Sequence, residues 1–456
     1  MPTVMLWLRR DLRLHDLPAL EAAAKAADGG RVLPVFVLDP DLLQASAVRT
    51  HCLLSALEVA QQAYDGAIVL RTGRADEVVP ALARECGATS VHMSAETTPY
   101  GRARDERVRE ALGSDVPLVA TGSAYAVGPG TIRNGSGGAY QVFTPFSKAW
   151  REHGWPDPAQ PPSDLRWYRQ VDSEPMPERP ELDAEIDLPA VGEQAALDRW
   201  HDFLDAAVAD YDDERDRPDH DGTSQLSVQL KYGTIHPRTL LADLAGRRGK
   251  GAYGFTTEIA WREFYADVLW HNPSSAWQDL KPQLSSMTYD DPETDDEVAE
   301  LVQAWREGRT GYPFVDAGMR QLLTQGWMHN RARMVTASFL CKHLHVWWPH
   351  GARHFMRHLR DGDIASNNHG WQWVAGTGTD AAPYFRIFNP TTQGQRFDPS
   401  GDYVRRYVPE LAHLPGKSVH EPWKADDGYE HGYPRPIVDH KQARQEALAR
   451  YEQARS

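Results

Sequence analysis

The sequence contains few cysteines and no long apolar run. Three cysteines among 456 residues suit reduced thiols in the cytoplasm better than a disulfide framework, because an odd number leaves one unpaired. No segment has the roughly 20 consecutive apolar residues of a membrane-spanning helix, and the N-terminus lacks the charge order of a secretion signal. We therefore expect a soluble cytoplasmic protein without a membrane partner.

Two common ligand motifs are also missing. The turn after the first apolar run reads RRDLRLHD rather than GxGxxG, so a dinucleotide is not the expected ligand of this region. The DGD at 361–363 has neither a DxDxDG loop nor nearby His and Cys at ligand spacing, so we predict no metal site.

The charge is negative overall but unevenly distributed. A net charge of −15 argues against a protein that coats nucleic acid by bulk attraction. Residues 301–410 nevertheless hold 13 Lys or Arg against 8 Asp or Glu, so a polyanion should bind there.

Apolar runs alternate with helical stretches in the first part of the chain. This pattern predicts a parallel, doubly wound sheet of five strands. The expected strands are residues 3–10, 31–38, 67–72, 90–95 and 117–121.

The length exceeds what one core usually covers, so we expect two domains. We predict an α/β domain at 1–125, a connector rich in Gly and Pro at 126–192, and an all-α domain at 193–456. The aromatic insert YQVFTPFSKAW at 140–150 should pack on a domain surface, since a disordered linker has little use for its aromatic residues.

Residues 211–227 could bind a phosphate. Tyr211 precedes a loop with Arg215 and Arg217, followed by GTSQLS. Small hydroxyl residues after a glycine, with free backbone N–H groups leading into a helix, can cradle a phosphate. The same run is also typical of an ordinary Ser/Thr helix N-cap, and both interpretations stay open.

Two helical segments place mixed chemistry on one face. Glu258, Trp261 and Arg262 lie at i, i+3 and i+4, which could hold a base-like ring or could be a surface ion pair beside a core tryptophan. Asn330, Arg333 and Met334 have the same spacing. Nine of the fifteen tryptophans fall between residues 261 and 373, a density that favours ring stacking or electron relay over core packing alone.

Eight stretches occur in order along nearly the whole chain: WLRRDLRLHD, YQVFTPFSKAW, TSQLS, WREFY, GYPFVDAGMRQL, GWMHNRARM, DGDIASNNHGWQW and AAPYFRIFNPTTQG. Together they resemble the photolyase/cryptochrome family, most closely class I cyclobutane pyrimidine dimer (CPD) photolyases with a deazaflavin antenna. The resemblance implies an N-terminal Rossmann-like antenna domain and a C-terminal helical domain that holds FAD.

The resemblance assigns one set of residues to FAD. Asn367 would face flavin N5, where plant cryptochromes tend to carry Asp and animal ones Cys, so this position favours repair over signalling. Phe255 departs from a frequent Trp. The implied FAD-binding residues are Tyr211, Thr223, Ser224, Gln225, Leu226, Ser227, Phe255, Arg262, Asp361, Gly362 and Asp363.

A second set is assigned to the lesion and to DNA. Asn330 stands where photolyases for the (6-4) photoproduct typically place His, so a CPD is the implied substrate. The implied catalytic residues are Glu258, Asn330, Arg333 and Asn367. The implied DNA- or lesion-binding residues are Arg215, Trp261, Asn330, Arg331, Met334, Trp373 and Gln393. Arg386 and Arg396 are further candidates for phosphate contacts, and Arg386 could instead form an ion pair in the core.

The antenna and the electron route also follow from the resemblance. PYGRARD resembles relatives that bind 8-hydroxy-5-deazaflavin, and methenyltetrahydrofolate is the alternative; the implied antenna residues are Arg10, Asp39, Tyr100, Gly101 and Arg104. Trp371 and Trp348 would lead electrons to FAD. The family's outer tryptophan aligns with Asp295, so another residue must end the route, and Trp347 and Tyr289 are candidates.

The implied activity is light-driven repair of CPDs in UV-damaged DNA of any sequence. Excited, reduced, anionic FAD would donate an electron to the flipped-out dimer, and we expect a monomer. One alternative is a blue-light-sensing cryptochrome on the same fold. Another is a flavin-free nucleic-acid binder that stacks bases on its tryptophans.

Overall fold

The computed structural model describes residues 2–182, 186–281, 284, 286–379 and 386–455. The chain forms two compact units. The first takes the residues up to 182 together with 189–209 and 224–273, and the second takes 210–223 and the residues from 274 onward, with the short segment 186–188. The division into domains at residues 125 and 192 stays a prediction.

A parallel five-stranded sheet forms the base of the first unit. Its strands are β1 Thr3–Leu8, β2 Arg31–Leu38, β3 Val69–Thr72, β4 Ala88–Ala95 and β5 Leu118–Ser123, and the helices between them are α1 Pro18–Ala27, α2 Pro40–Leu43, α3 Ala47–Ala63, α4 Ala75–Cys86 and α5 Pro99–Leu112. The strand order is β3-β2-β1-β4-β5. β1 runs through the middle and is buried along its whole length, so a continuous apolar run is stable there. The predicted doubly wound sheet is confirmed.

Further helices complete the first unit. They are α6 Phe143–His153, α7 Glu193–Ala206, α9 Ser227–Tyr232, α10 Pro237–Leu244 and α11 Lys250–His271. The aromatic insert forms α6 and, as predicted, packs: Phe143, Phe146 and Trp150 are buried, and the Trp150 Nε1 donates to the Glu263 carboxylate at 2.9 Å. That carboxylate also accepts from the backbone of Val127 at 3.2 Å, which fastens the connector to α11.

The second unit is helical around one apolar core that includes Trp305, Phe314, Phe339 and Trp348. The predicted helical second part is confirmed. Its helices are α8 Tyr211–Glu214, α12 Asp296–Arg306, α13 Pro313–Gln325, α14 Asn330–Lys342, α15 Trp348–His358, α16 Ile364–Ala375, α17 Pro390–Phe397, α18 Asp402–Tyr407 and α19 His440–Arg455. Among the residues that the structure describes, no helix is both long and apolar enough to cross a membrane.

Candidate active site

One face of α11 carries the predicted carboxylate, indole and guanidinium. Trp261 lies flat against Phe143, with ring centroids 3.6 Å apart and ring planes 8° from parallel. Arg262 donates to the carbonyl of Ala124 at 2.7 Å. Glu258 and Trp261 are both partly exposed. The helix therefore offers an indole of fixed orientation beside a carboxylate, an arrangement suited to a flat heterocycle.

Phe255, on the same helix, lies in an aromatic cluster. Its ring centroid is 5.3 Å from that of Trp200 and 5.1 Å from that of Phe203. Phe255 is buried. These contacts fix the ring within the first unit, and its predicted role in lining the cofactor stays a prediction.

The run at 222–227 forms a loop that leads into α9. The N-cap residue of that helix is Leu226, whose side chain makes no capping hydrogen bond, so no hydroxyl residue stands at the N-cap position. Gln225 has a φ of 52°, in the left-handed region, which turns the chain sharply. The Ser227 Oγ is buried and has no hydrogen-bond partner among the described residues. A buried hydroxyl without a partner is costly, so this loop fits an acceptor-rich ligand such as a phosphate better than an ordinary N-cap.

In the second unit, α8 brings together Tyr211 and Arg215. Tyr211 is buried, and the Arg215 guanidinium lies 5.9 Å from its ring centroid. Arg331, predicted to contact phosphate, instead donates to Asp216 at 2.7 Å and lies over the Phe397 ring at 4.1 Å. The Arg331 charge is therefore balanced by Asp216, and a phosphate would have to compete with that carboxylate.

The two carboxylates of the DGD have separate contacts. Arg333 pairs with Asp361 at 3.0 Å and also donates to the Met328 carbonyl at 2.7 Å. Asp363 caps α16 by accepting from the backbone N–H groups of Ala365 and Ser366, each at 3.1 Å. Gly362 joins the two, so the tripeptide links the start of α16 to α14 through an ion pair.

The two predicted asparagines differ in freedom. Asn367 is buried on α16, and its Nδ2 donates to the Ala352 carbonyl at 3.2 Å and to the Asn368 Oδ1 at 2.8 Å. Asn330 is exposed at the start of α14, and its Nδ2 lies 4.0 Å from the Met334 Sδ. Asn367 is therefore held rigidly, while the amide of Asn330 can reach a ligand.

His329 precedes Asn330 and caps α14. Its Nδ1 accepts from the Arg331 backbone N–H at 3.2 Å, which assigns the proton to Nε2 in the neutral ring. Burial lowers the pKa of His329 to about 4. The helix that carries Asn330 and Arg333 therefore begins on a neutral imidazole at neutral pH.

The remaining predicted DNA contacts lie in the second unit. Arg386 and Arg396 are exposed, while Gln393 and Trp373 are partly buried. The Arg396 guanidinium lies 5.0 Å from the Phe397 ring centroid.

Two predicted electron-transfer tryptophans are enclosed in the second unit. The Trp371 ring lies 4.9 Å from Phe355 and 6.1 Å from Trp305, both edge-on. A Cβ added at Gly351, on the helix that begins with Trp348, would come within 2.2 Å of the Trp371 ring. Trp371 therefore packs directly against α15.

Beyond Trp348, the indole of Trp347 reaches towards solvent. The two ring centroids are 6.4 Å apart, and Trp347 is partly exposed. Both Nε1 groups point to one carboxylate, that of Asp279: Trp348 at 2.7 Å and Trp347 at 3.3 Å. Asp295 caps α12 by accepting from the Glu297 N–H at 2.9 Å, so it plays a local structural part.

The predicted antenna residues gather where the strand order of the sheet reverses. In such sheets, ligands bind outside the carboxyl ends of the strands at this point. The Tyr100 hydroxyl donates to Asp39, which follows β2, at 2.6 Å, and Arg10, just beyond β1, lies 3.7 Å from Glu96, just beyond β4. A Cβ at Gly101 would clash with the Glu96 side chain, so glycine is needed there.

Arg104 differs from the other predicted antenna residues because its side chain is buried. It pairs with Asp105 at 2.8 Å, and its guanidinium lies 5.0 Å from the Trp7 ring centroid. Arg9 lies over the same ring at 4.5 Å and pairs with the same carboxylate at 3.0 Å. The predicted antenna contact of Arg104 stays a prediction.

Comparison with known proteins covers the whole chain. Residues 4–163 match the DNA photolyase family, and residues 255–453 match the FAD binding domain of DNA photolyase. The chain is 40% identical to the deoxyribodipyrimidine photo-lyase of Streptomyces griseus over 98% of this chain and 97% of that protein. The chain belongs to the DNA photolyase family.

Solved photolyases and cryptochromes share the fold. The Agrobacterium tumefaciens class III photolyase superimposes with a TM-score of 0.91 at 37% identity and covers 100% of this chain and 98% of its own. The Synechocystis cryptochrome superimposes with a TM-score of 0.87 at 26% identity and covers 98% of this chain and 99% of its own. The FAD-binding assignment of the helical photolyase domain is therefore secure, whereas the class I subtype stays a prediction.

Sequence reasoning missed two contacts of the predicted site residues, one in each unit. The Asp279 carboxylate accepts hydrogen bonds from two indoles that lie 68 and 69 positions later in the chain. No local sequence pattern predicts a contact over that separation. Phe143, which lies in the predicted connector, stacks on Trp261 and orients its ring. The high density of aromatic residues at 140–150 was the signal that could have indicated this contact.

Proposed function

We propose that this photolyase repairs cyclobutane pyrimidine dimers in DNA with light, as a deoxyribodipyrimidine photo-lyase. The observation that carries the proposal is the face of α11, where Trp261 is held flat by Phe143 beside the partly exposed Glu258. A dimer joins two pyrimidines face to face, so its cleavage needs an electron more than an acid or a base. Bound FAD, in its reduced anionic form, supplies that electron when it is excited by blue light.

The protein's part is to bind and orient the lesion. Extruding a nucleotide from a duplex costs roughly a few kcal/mol, and the cost is smallest for a damaged base pair. Photolyases are a standard example of such base flipping. In the first unit, Trp261 stacks on an extruded base and Glu258 hydrogen-bonds a pyrimidine edge. In the second unit, the resemblance assigns Trp373, Asn330 and Met334 to the lesion, and the exposed amide of Asn330 suits that role.

Residues that suit the cofactor occur in each unit. In the first unit, the Ser227 hydroxyl and the loop around Ser224 suit its phosphates, since the buried Ser227 Oγ lacks a partner in the part of the chain that the structure describes. In the second unit, Asp361 fixes Arg333, so a positive charge is kept in place on α14. Asn367 is held by the Ala352 carbonyl and would offer a rigid polar edge to the flavin ring.

The electron route that would keep bound FAD reduced would use Trp371 and Trp348 and would end at Trp347. Trp347 is partly exposed, whereas the Tyr289 hydroxyl is buried and no described residue hydrogen-bonds it. Burial raises the pKa of Tyr289, which disfavours loss of the phenol proton. The Asp279 carboxylate stabilises positive charge on either indole and can accept the Trp347 proton.

The finer assignments rest on the resemblance. The antenna chromophore is 8-hydroxy-5-deazaflavin, with methenyltetrahydrofolate as the alternative, and Tyr100, Asp39 and Arg10 contribute to its site. The protein is a cytoplasmic class I enzyme that acts as a monomer on DNA of any sequence. A cryptochrome is the second candidate, because the Synechocystis cryptochrome shares the fold over 98% of this chain.

The test is illumination of purified, FAD-loaded protein mixed with DNA that carries a single CPD. Dimers should disappear in blue light and persist in the dark and in light without protein. Persistence of the dimers under light, with FAD bound and reduced, would contradict the proposal and favour the cryptochrome.

A further inference from the structure

A basic groove lies in the first unit, outside the residues assigned above. It has a volume of about 490 Å³ and lies between α10, α11 and the segment 155–158. We define the basic groove by the residues that carry its chemistry: Arg151, Trp155, Arg247, Arg248 and Tyr253. Within the described ranges, Asp157 is its one lining carboxylate.

The arginines of the groove are not neutralised to the same degree. Arg248 is exposed, and no described carboxylate forms an ion pair with it. Arg247 lies 3.5 Å from Asp205, but both side chains are largely exposed, so this pair is weak. Arg238 also lines the groove, yet it is buried and paired with Asp16 at 2.7 Å. The available positive charge therefore comes from Arg247, Arg248 and Arg151.

Arg151 and Tyr253 lie together at one end of this charge. The guanidinium lies 4.3 Å from the Tyr253 ring centroid, and its Nη2 donates to the Thr257 hydroxyl at 2.8 Å. The Arg151 Nε is buried and finds no acceptor among the residues described. Tyr253 is 64% exposed, an unusual exposure for a large aromatic residue that is held in place. A cation and an open ring at one spot suit a phosphate with an adjoining base.

The groove lies on the same helix as the lesion face. Tyr253 and Trp261 are eight residues apart on α11, which is about 12 Å along the axis and about 80° around it. Along one strand of B-form DNA, where the phosphates are spaced about 3.4 Å apart along the axis, that distance corresponds to about three or four nucleotides. A strand with its damaged base on Trp261 can therefore reach Tyr253 without leaving the helix.

We propose that the basic groove binds the DNA strand next to the lesion, with Arg247 and Arg248 on its phosphates and Tyr253 against a base. The inference rests on the proposed function and adds a DNA contact in the first unit beyond Trp261 and Glu258. The exposed Tyr253 ring and the exposed arginines suit a DNA strand that runs through the groove and continues on both sides. They suit a small ligand less well, since a binding pocket usually buries about 70–90% of such a ligand's surface.

The experiment measures binding of FAD-loaded protein to an oligonucleotide with one CPD in the dark, at several salt concentrations. For the double variant Arg247→Ala/Arg248→Ala, the slope of log affinity against log salt should become shallower by about 1.4–1.8, the change expected for two lost phosphate contacts. The matched control is Arg31→Ala/Arg84→Ala, which removes two exposed arginines of the sheet region and should keep the parent slope.

The variant Tyr253→Ala tests the contribution of base stacking apart from that of charge. It should weaken DNA binding about tenfold without changing the slope of log affinity against log salt. Tyr253→Phe should bind with the affinity of the parent, because stacking needs the ring and not the hydroxyl. Because Tyr253 is largely exposed, its removal leaves the core intact.

Shortening the DNA locates the contact. Two shortened oligonucleotides are compared, one lacking the nucleotides 5′ to the dimer and one lacking those 3′ to it. One of the two should bind the parent and the groove variants with equal affinity, because it no longer reaches the groove. The other should keep the difference in affinity between parent and variants. An unchanged salt slope, a slope change equal to that of the control pair, or a defect that survives both truncations would overturn the groove proposal. Equal affinity of the parent for damaged and undamaged DNA would instead contradict the proposed function itself.

Discussion

Tryptophan side chains occur in two different environments in this photolyase: on α11 in the first unit, and in a tryptophan cluster formed by Trp347, Trp348 and Trp371 in the second unit. On α11, Trp261 is partly exposed and stacked on Phe143. In the cluster, Trp371 and Trp348 are almost fully buried, and the Trp348 N–H is bound to Asp279. The ring is the same, but exposure suits Trp261 to the proposed platform for a ligand, and burial suits Trp371 and Trp348 to the proposed electron relay.

The largest expected effect comes from breaking the relay. Trp371→Phe should reduce photoreduction of oxidised FAD to background, because phenylalanine is much harder to oxidise than an indole. Repair by enzyme that has been reduced chemically beforehand should continue. Absorption of the flavin during illumination measures the first, and loss of dimers measures the second. Photoreduction at the parent rate would remove Trp371 from the route.

Burial also decides chemistry at the start of α14. The pKa of His329 is lowered to about 4 by burial, whereas the unfolded chain has an ordinary histidine with a pKa near 6.5. Because the folded state keeps the neutral ring, its contribution to stability is complete above about pH 6.5 and is lost as the pH falls towards 4.

His329→Asn tests this without removing the cap, since asparagine is a good N-cap residue. Between pH 7 and pH 5 the parent should lose about 2 kcal/mol more unfolding free energy than the variant. Urea denaturation at the two pH values provides the measurement. Parallel pH profiles would show that His329 is already protonated or exposed.

Glu258 tests the platform side of the comparison. Glu258→Ala should lower the repair yield about tenfold, because a hydrogen bond to a charged group contributes about 1.5–3 kcal/mol. FAD content should stay unchanged, and Glu258→Gln should fall between parent and alanine. Repair yield per absorbed photon is the readout. A yield equal to that of the parent would leave Glu258 as a surface residue of α11.

The smallest effect is expected at the solvent end of the relay. Asp279→Asn keeps one acceptor oxygen, which both indole N–H groups can reach, but it removes the charge and the proton acceptor. The oxidised tryptophan should therefore stay protonated longer, and photoreduction should slow a few-fold. Time-resolved absorption distinguishes the protonated from the deprotonated tryptophan radical. Trp347→Phe should abolish the deprotonation signal, and its persistence would place the end of the route elsewhere.

The sequence predicted the sheet well and the contacts of the site only in part. The run RVLPVFVL coincides with β2, because a strand buried on both faces must be continuously apolar. Helical spacing likewise placed Glu258, Trp261 and Arg262 on one face. Periodicity reports only which residues share an element, so it could not foresee Phe143 under Trp261 or Asp279 between two indoles.

The most direct test of the division between platform and relay compares Trp261→Ala with Trp371→Phe, each with FAD reduced chemically beforehand. Dimer loss per light flash is measured at a DNA concentration near the parent's Kd. Trp261→Ala should repair poorly because it loses about 1–3 kcal/mol of stacking, while Trp371→Phe should repair like the parent. The reverse result, normal repair without Trp261 and failed repair without Trp371, would contradict the account.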